Sequence, residues 1–278
     1  MKNKMMLKMM LKMNKNIVIT TIMFVLASLL LIGPMAGCAK KKAPSQYGAH
    51  LKKGTAEFTL NEGLFYLNSG NMEMAEKKLL ETLKKNPTMA LAINALGIVY
   101  LNKRDFKKAI DYFTQVVRTN PEYYDAYNYL GVTYSEMGEY TLAKENLLTA
   151  ASGAKYQTPE NAYANLAMLE IREKKYNTAM RYIDKGLVKN DRFPPLSNLK
   201  GIVLENQEKY NEALQWYRRA ISLLTEPEAT YLINIGRVYV KMGQKDKALD
   251  TLEKALGRAL TKEMKDEIHK LIAQLDKQ

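Results

Sequence analysis

Apolar side chains along this chain recur at offsets that repeat every 34 to 36 residues. Small residues mark the repeat: Gly63, Gly97, Gly131, Ala167, Gly201 and Gly236. Three positions after the marker stands a tyrosine in four cases (Tyr66, Tyr100, Tyr134 and Tyr239), with Glu170 and Leu204 as departures. Twelve positions after it an alanine is unbroken, as Ala75, Ala109, Ala143, Ala179, Ala213 and Ala248. Sixteen positions after it the residue is bulky: Leu79, Phe113, Leu147, Ile183, Tyr217 and Leu252. Spacings of three and four keep side chains on one side of a helix, so each repeat predicts two apolar helix faces. Between them lie Asn68-Ser69-Gly70-Asn71, Asn102-Lys103-Arg104-Asp105, Met137-Gly138-Glu139 and Met242-Gly243-Gln244, whose Gly, Asn and Asp end or cap helices. The physical reading is a helical hairpin in which the marker and the alanine leave room for close approach and the bulky residues fill the seam.

This combination of Gly, Tyr, Ala and bulky positions at a period near 34 resembles the tetratricopeptide repeat. The terminal proline of that motif survives only as Pro87 and Pro121. The predicted fold is all-α: a right-handed superhelical solenoid of six tetratricopeptide hairpins over residues 56–260. Residues 261–278 carry Met264, Ile268, Leu271, Ile272 and Leu275 at helical spacing, with Thr261 and Asp266 among polar residues opposite. They are expected to form the capping helix that closes the open end of such a stack.

The amino-terminal segment has a different pattern. Five lysines (Lys2, Lys4, Lys8, Lys12 and Lys15) precede an apolar run from Ile17 to Ile32, broken only by Thr20, Thr21 and Ser28. A charged region followed by an apolar run too short for the roughly 20 residues of a spanning helix predicts a signal peptide over residues 1–37. Several methionines from Met1 to Met13 precede the run, so translation can start at more than one of them. Met35-Ala36-Gly37-Cys38 resembles the lipobox of bacterial lipoproteins, with Met35 in place of the usual Leu. The resemblance implies diacylglyceryl modification of Cys38; the plainer alternative is a small residue near an ordinary cleavage site. Cys38 is the chain's single cysteine, so no disulfide is available and the helices must supply the stability. Residues 38–55 are polar and punctuated by Pro and Gly, which predicts a lipidated flexible tether. Its 16 residues from Ala39 to Gly54 span at most about 50 Å, at roughly 3.3 Å each.

Charge changes the picture little. The formal net charge is +13, and removing the five signal-peptide lysines leaves +8. The lysines are dispersed as pairs, mostly among acids, which reads as solvated helix surface; a nucleic-acid stripe would concentrate them on one face. No nucleic-acid partner is expected, although Lys40-Lys41-Lys42 beside the anchor suits anionic headgroups. The two histidines, His50 and His269, are far apart in sequence, and no metal-ligand, nucleophile or phosphate-loop motif occurs. No cofactor, metal, small-molecule substrate or enzymatic activity is expected. Trp216, beside Tyr217, is expected to be partly buried.

What remains is surface. Three residues before, one after and four after each marker lie on one helix face, which lines the concave side in tetratricopeptide families. The stripe reads Leu60, Leu64 and Leu67; Asn94, Ile98 and Leu101; Asn128, Val132 and Ser135 in the first three repeats. It continues as Ala164, Met168 and Ile171; Asn198, Ile202 and Glu205; Ile233, Arg237 and Val240. Leu60, Leu64, Leu67, Asn94, Ile98, Leu101, Asn128 and Val132 form the candidate partner-binding groove, in which an apolar segment would be covered. Burial between neighbouring helices is the competing reading of the same leucines. Asn94 and Asn128 are suited to hydrogen-bonding the backbone of an apolar peptide, and the groove lacks the Lys and Arg of families that bind acidic tails.

Signal peptide, lipobox, tether and six repeats together resemble the type IV pilus biogenesis lipoproteins, the PilF/PilW pilotins. Tyr156-Gln157-Thr158-Pro159-Glu160 before Ala162-Tyr163-Ala164-Asn165-Leu166-Ala167, with its two-residue insertion, is similar to the corresponding stretch of that family. The resemblance implies a lipid-anchored scaffold whose partner is a secretin, delivered to the outer membrane and assembled with its help, the protein facing the periplasm. Ala39 rather than Asp after Cys38 fits outer-membrane delivery in a two-membrane host. A lipoprotein adaptor for periplasmic or cell-wall enzymes and a structural subunit of an outer-membrane assembly complex are the alternatives. Cys38→Ser is expected to leave the repeats folded and abolish membrane attachment. Three acyl chains, which the lipoprotein resemblance implies, exceed the about two signals that stable anchoring takes. A variant that stays in the membrane fraction through a salt wash would refute lipidation.

Overall fold

The computed structural model describes residues 52–275, in which thirteen α-helices occur and no strand. These residues belong to two compact units that meet in sequence at Asp191 and Arg192. The first unit holds four hairpins: α1 (Ala56–Asn68) with α2 (Met72–Lys85), α3 (Ala90–Asn102) with α4 (Phe106–Thr119), α5 (Tyr124–Met137) with α6 (Tyr140–Ser152), and α7 (Pro159–Arg172) with α8 (Tyr176–Lys189). The second holds α9 (Pro194–Asn206) with α10 (Tyr210–Ser222), α11 (Ala229–Lys241) with α12 (Lys245–Leu256), and a final α13 (Lys262–Leu275). The six hairpins and the terminal helix are those read from the repeat. Cys38 and most of the tether lie outside the described residues.

Each hairpin closes where the markers lead one to expect. A methyl group placed on Gly131, Gly201 or Gly236 would lie 2.5 Å from Leu147, Tyr217 or Leu252, and one on Gly63 would lie 2.8 Å from Leu79. Gly97 meets Phe113 in the same way. Every one of these partners is the bulky residue sixteen positions on. The six alanines of the second helices are fully buried. In the fourth hairpin the marker is Ala167, and it and Ile183 are both fully buried.

Hairpins then stack through shared faces. In the first unit α2 packs on α3, α4 on α5 and α6 on α7, and the first helices α1, α3, α5 and α7 touch in succession. In the second unit α10 packs on α11, α9 touches α11, and α13 lies on α11 and α12 with Ile268, Leu271 and Leu275 buried.

The turn inside each hairpin is one backbone device used six times. Seven residues after the marker the chain enters the left-handed region: Gly70, Gly138 and Gly243 at φ 79°, 83° and 67°, and Arg104, Lys174 and Glu208 at 60°, 58° and 61°. The next N–H then donates to the carbonyl three after the marker, as in Asn71 to Tyr66 and Glu139 to Tyr134, each 2.9 Å, and Gln244 to Tyr239 at 3.0 Å. This is how a helix end satisfies an otherwise orphaned carbonyl. Asn71 and Asp105 also cap the following helices, their side chains accepting from the N–H groups of Met74 and Lys108.

Three turns therefore hold a side-chain-bearing residue where glycine is favoured. Lys174 is exposed. Left-handed geometry costs a non-glycine residue about 1–2 kcal/mol, against roughly 0.5–1 kcal/mol for the extra backbone freedom a glycine must lose. Lys174→Gly is expected to stabilise the protein by about 0.5–1 kcal/mol, read as a higher urea midpoint at unchanged slope. A lower midpoint would contradict this turn geometry.

Candidate partner-binding groove

One face of the first helices carries the stripe, and in the first unit it runs across α1, α3, α5 and α7. The structure sorts its members by depth. Leu60, Asn94, Leu101, Asn128, Ala164 and Met168 are buried, whereas Leu64, Leu67, Ile98, Val132, Ser135 and Ile171 are half-buried. Residues three before the marker thus sit at the contact between successive first helices. Residues one after it in α1, α3 and α5 reach the surface as an apolar row.

The floor of this face is polar at two points, and the two differ. Asn165 on α7 donates its side-chain amide to Oδ1 of Asn128 on α5 at 2.9 Å, so the Asn128 acceptor is engaged within the stack. Asn165 stands two before its marker. The corresponding position facing Asn94 is Tyr129, whose ring stacks on Phe113 at 5.4 Å between centroids and whose hydroxyl is pushed up to about 12 by burial. Asn94 is 4% exposed, and its Oδ1 has no hydrogen-bond partner. At the rim, the Arg172 guanidinium donates to the Ser135 hydroxyl at 3.0 Å and to Glu136 at 3.2 Å. Burial pulls this group below its ordinary value, and Glu136 opposes the shift.

In the second unit the same face is built from charge. Glu205 on α9 is buried, accepts from the Tyr217 hydroxyl at 2.7 Å and pairs with Lys241 at 2.8 Å. Arg237 on α11 pairs with Glu267 on α13 at 2.6 Å and lies 3.7 Å from Glu205. The amide of Asn234 donates to Asn198 at 2.8 Å. Ile202 is half-buried, and Ile233 and Val240 are buried.

Sequence reasoning missed Leu91, which is 44% exposed. It stands seven residues before Ile98 on α3, hence on the same face, and the heptad spacing was the available signal. It also missed the contact between hairpins at the tyrosine position. The Tyr100 hydroxyl donates to Glu76 on α2 at 2.6 Å, and Lys103 and this hydroxyl hold the Glu76 carboxyl below its ordinary range. Two hairpins on, Glu170 replaces the tyrosine and accepts from Lys144 on α6 at 2.5 Å, with its side chain fully buried. Trp216 is partly buried, as expected, with the Lys200 ammonium 4.4 Å from its ring centroid.

The arrangement offers apolar contact and a few hydrogen bonds. Among the described residues no group of three or more His, Cys, Asp and Glu is placed to hold a metal, and no helix is long and apolar enough to cross a membrane. Tetratricopeptide-repeat family models match residues 90–123, 112–145 and 195–260. Among solved structures, PilF of Pseudomonas aeruginosa is similar at 22% identity and a TM-score of 0.61, over 77% of this chain and 97% of that one. PilW, described as a widely conserved type IV pilus biogenesis factor, is similar at 16% identity and 0.64, over 76% and 97%. The Cut9–Hcn1 hetero-tetramer of the APC/C is similar at 17% identity and 0.70, over 84% of this chain and 46% of that one. At these identities the likeness is one of fold. No curated protein matches the sequence.

Removing the lysine from the Lys144–Glu170 pair leaves a buried carboxylate unpaired, a class of change that costs about 3–5 kcal/mol. Because the Lys144 side chain is 37% exposed, Lys144→Met is expected to lose about 2–3 kcal/mol in urea unfolding after discounting for solvent screening. Lys144→Glu combined with Glu170→Tyr, which recreates the Glu76–Tyr100 contact, is expected to recover most of it. A double variant no better than Lys144→Met would show that the two interfaces are not equivalent.

Proposed function

We propose that this chain, which is a tetratricopeptide-repeat protein, is a lipid-anchored pilotin that holds a segment of an outer-membrane secretin and promotes its localisation and assembly in type IV pilus biogenesis. A protein-interaction scaffold is the coarser statement, and the repeats carry it. The observation behind the finer one is the apolar row Leu64, Ile98 and Val132, joined by Leu67 and Leu91, on one face of three successive hairpins. Such a face is favourable to bury against a partner segment. Fold likeness to PilF and PilW over nearly their whole length supports the reading, as do the lipobox-like stretch at Cys38 and a tether that can span at most about 50 Å. The protein would then sit in the periplasm on the outer membrane, with the groove within reach of the lipid surface.

Leu64 is the test. It is half-buried on α1, one turn from Leu60 and Leu67. Leu64→Glu puts a carboxylate where a docked segment would exclude water, at a cost of several kcal/mol unless it is paired. Secretin binding is expected to fall at least 100-fold, at about 1.4 kcal/mol per factor of ten, with helicity by circular dichroism unchanged. Intact secretin binding in a folded variant would remove this groove from the site and favour an adaptor for cell-wall enzymes. Lost helicity would identify Leu64 as core.

A further inference from the structure

We infer that the edge of the first unit from which the tether leaves is a docking surface for an anionic phospholipid membrane, held there by lysine and arginine at the ends of its second helices. The inference rests on the proposed function, in which Cys38 carries a lipid anchor.

Each hairpin is antiparallel, so the start of its first helix and the end of its second lie at one edge. Two contacts mark this edge. Asn190, just after α8, donates to Glu160 in the first turn of α7 at 3.0 Å. Lys155, after α6, pairs with Glu122, ahead of α5, at 2.8 Å. The tether enters α1 at the same edge. Thirteen residues separate Cys38 from Lys52, a span of at most about 45 Å at roughly 3.3 Å per residue. An anchored chain keeps this edge within that distance of the lipid.

The edge carries cations that the fold leaves without a counter-charge. Lys52, Lys53, Lys84, Arg118 and Lys189 are exposed, and none forms an ion pair among the described residues. At the opposite edge, where the hairpin turns lie, Lys103, Arg104, Lys108, Arg172 and Lys175 each hold a carboxylate. A helix C-terminus favours a cation by itself, which accounts in part for Lys84, Arg118 and Lys189 in the last turns of α2, α4 and α8. It does not account for Lys52 and Lys53 ahead of α1, for the difference in pairing, or for Val188, which is 85% exposed beside Lys189. Of the exposed acids at this edge, Glu57 and Asp125 stand on the first helices, on the groove side, Glu122 is taken by Lys155, and Asp191 lies at the unit boundary.

Unpaired cations around an exposed valine suit a layer of anionic headgroups, which attracts the charges and admits a small apolar side chain at its boundary. A phospholipid surface fits better than an acidic protein, because the tether delivers this edge to the membrane and the cations are spread over the ends of three helices. Docking also sets the orientation of the groove. Leu64, Ile98 and Val132 each lie eight residues after the first residue of their helices, hence about 12 Å from this edge at roughly 1.5 Å per residue. The apolar row would run along the membrane surface and open sideways to a partner seated in the same membrane.

The test is vesicle co-sedimentation of the mature chain, residues 38–278, carrying Cys38→Ser so that no acyl chain contributes. Binding is expected to vesicles of phosphatidylglycerol mixed with phosphatidylcholine at low salt, and to be lost at high salt and on phosphatidylcholine alone. Lys84→Glu combined with Arg118→Glu is expected to weaken it at least about tenfold, whereas Lys107→Glu with Lys174→Glu, the same change in net charge at the opposite edge, is expected to leave it within about twofold. Circular dichroism checks that each variant is folded, and Lys84→Gln with Arg118→Gln is the milder pair should charge reversal disturb folding. Equal weakening by the two pairs of reversals overturns the inference, because attraction would then follow net charge and not this edge. Absence of binding to the anionic vesicles, or undiminished binding to phosphatidylcholine, overturns it as well. Whether Cys38 is lipidated is read separately, from membrane fractionation of Cys38→Ser cells, so the inference and the proposed anchor can fail independently.

Discussion

The fold depends on how closely two helices approach within each hairpin. A side chain sixteen residues after the marker occupies the volume that a Cβ on the marker would need, as Tyr217 does against Gly201 and Leu147 against Gly131. Burying Phe113, Leu79 or Leu252 completely is possible only because the opposing backbone is bare there. That contact fixes the rotation of the second helix about its axis, which turns the alanine twelve after the marker into the seam. Once rotation is fixed, the reversal between the helices has one length. The left-handed residue falls seven after the marker in all six hairpins, whether glycine occupies it or not.

Contacts between hairpins inherit this geometry but not its residue types. Glu76 with Tyr100 and Lys144 with Glu170 occupy the same pair of positions at two interfaces of the first unit, with the carboxylate on opposite sides. Each gives one polar atom at the interface a partner, although Oε2 of Glu170 stays buried without one. Fixed geometry with interchangeable chemistry allows repeats to diverge in sequence while stacking alike. The fully buried Glu170 is tolerable because Lys144 reaches it with a side chain that keeps partial contact with water.

Hairpin number, turn positions and the buried knobs were legible because each is set by spacing within some 20 residues, and spacing survives substitution. The glycines did not announce every turn. Lys174 and Glu208 adopt the left-handed geometry with side chains that advertise nothing, because the contact sixteen residues on forces the reversal there. Depth along the stripe was less legible. Leu64 and Leu60 read alike, yet Leu60 is buried and Leu64 reaches the surface, a distinction made by neighbouring helices rather than by anything local. The asparagines show the same limit. Asn94 and Asn128 occupy equivalent positions, and the residue that separates them, Tyr129 or Asn165, lies on the next hairpin. Leu91 was missed because the stripe was read outward from the marker and stopped one turn early.

The chemistry of the stripe also bears on where an apolar segment can be held. In the second unit the stripe includes Ile202, Glu205 and Arg237, with Lys241 beside it and Glu267 of α13 completing the ion pairs. An apolar segment laid across Arg237, Lys241 and Glu267 would strip water from charges that are still partly solvated while offering no hydrogen bonds in return, and uncompensated desolvation of polar groups is costly. In the first unit the position of Arg237 is held by Leu64, Ile98 and Val132, whose covering is favourable in proportion to the apolar area removed from water, at roughly 25 cal/mol per Å². The repeat alone does not separate the two faces, since both are lined by the same positions of the same helix. The residue just after the marker does so in part: Leu64, Ile98 and Val132 leave three successive hairpins of the first unit with an apolar face, whereas in the second unit Ile202 is followed by Arg237, tied to two carboxylates from neighbouring helices.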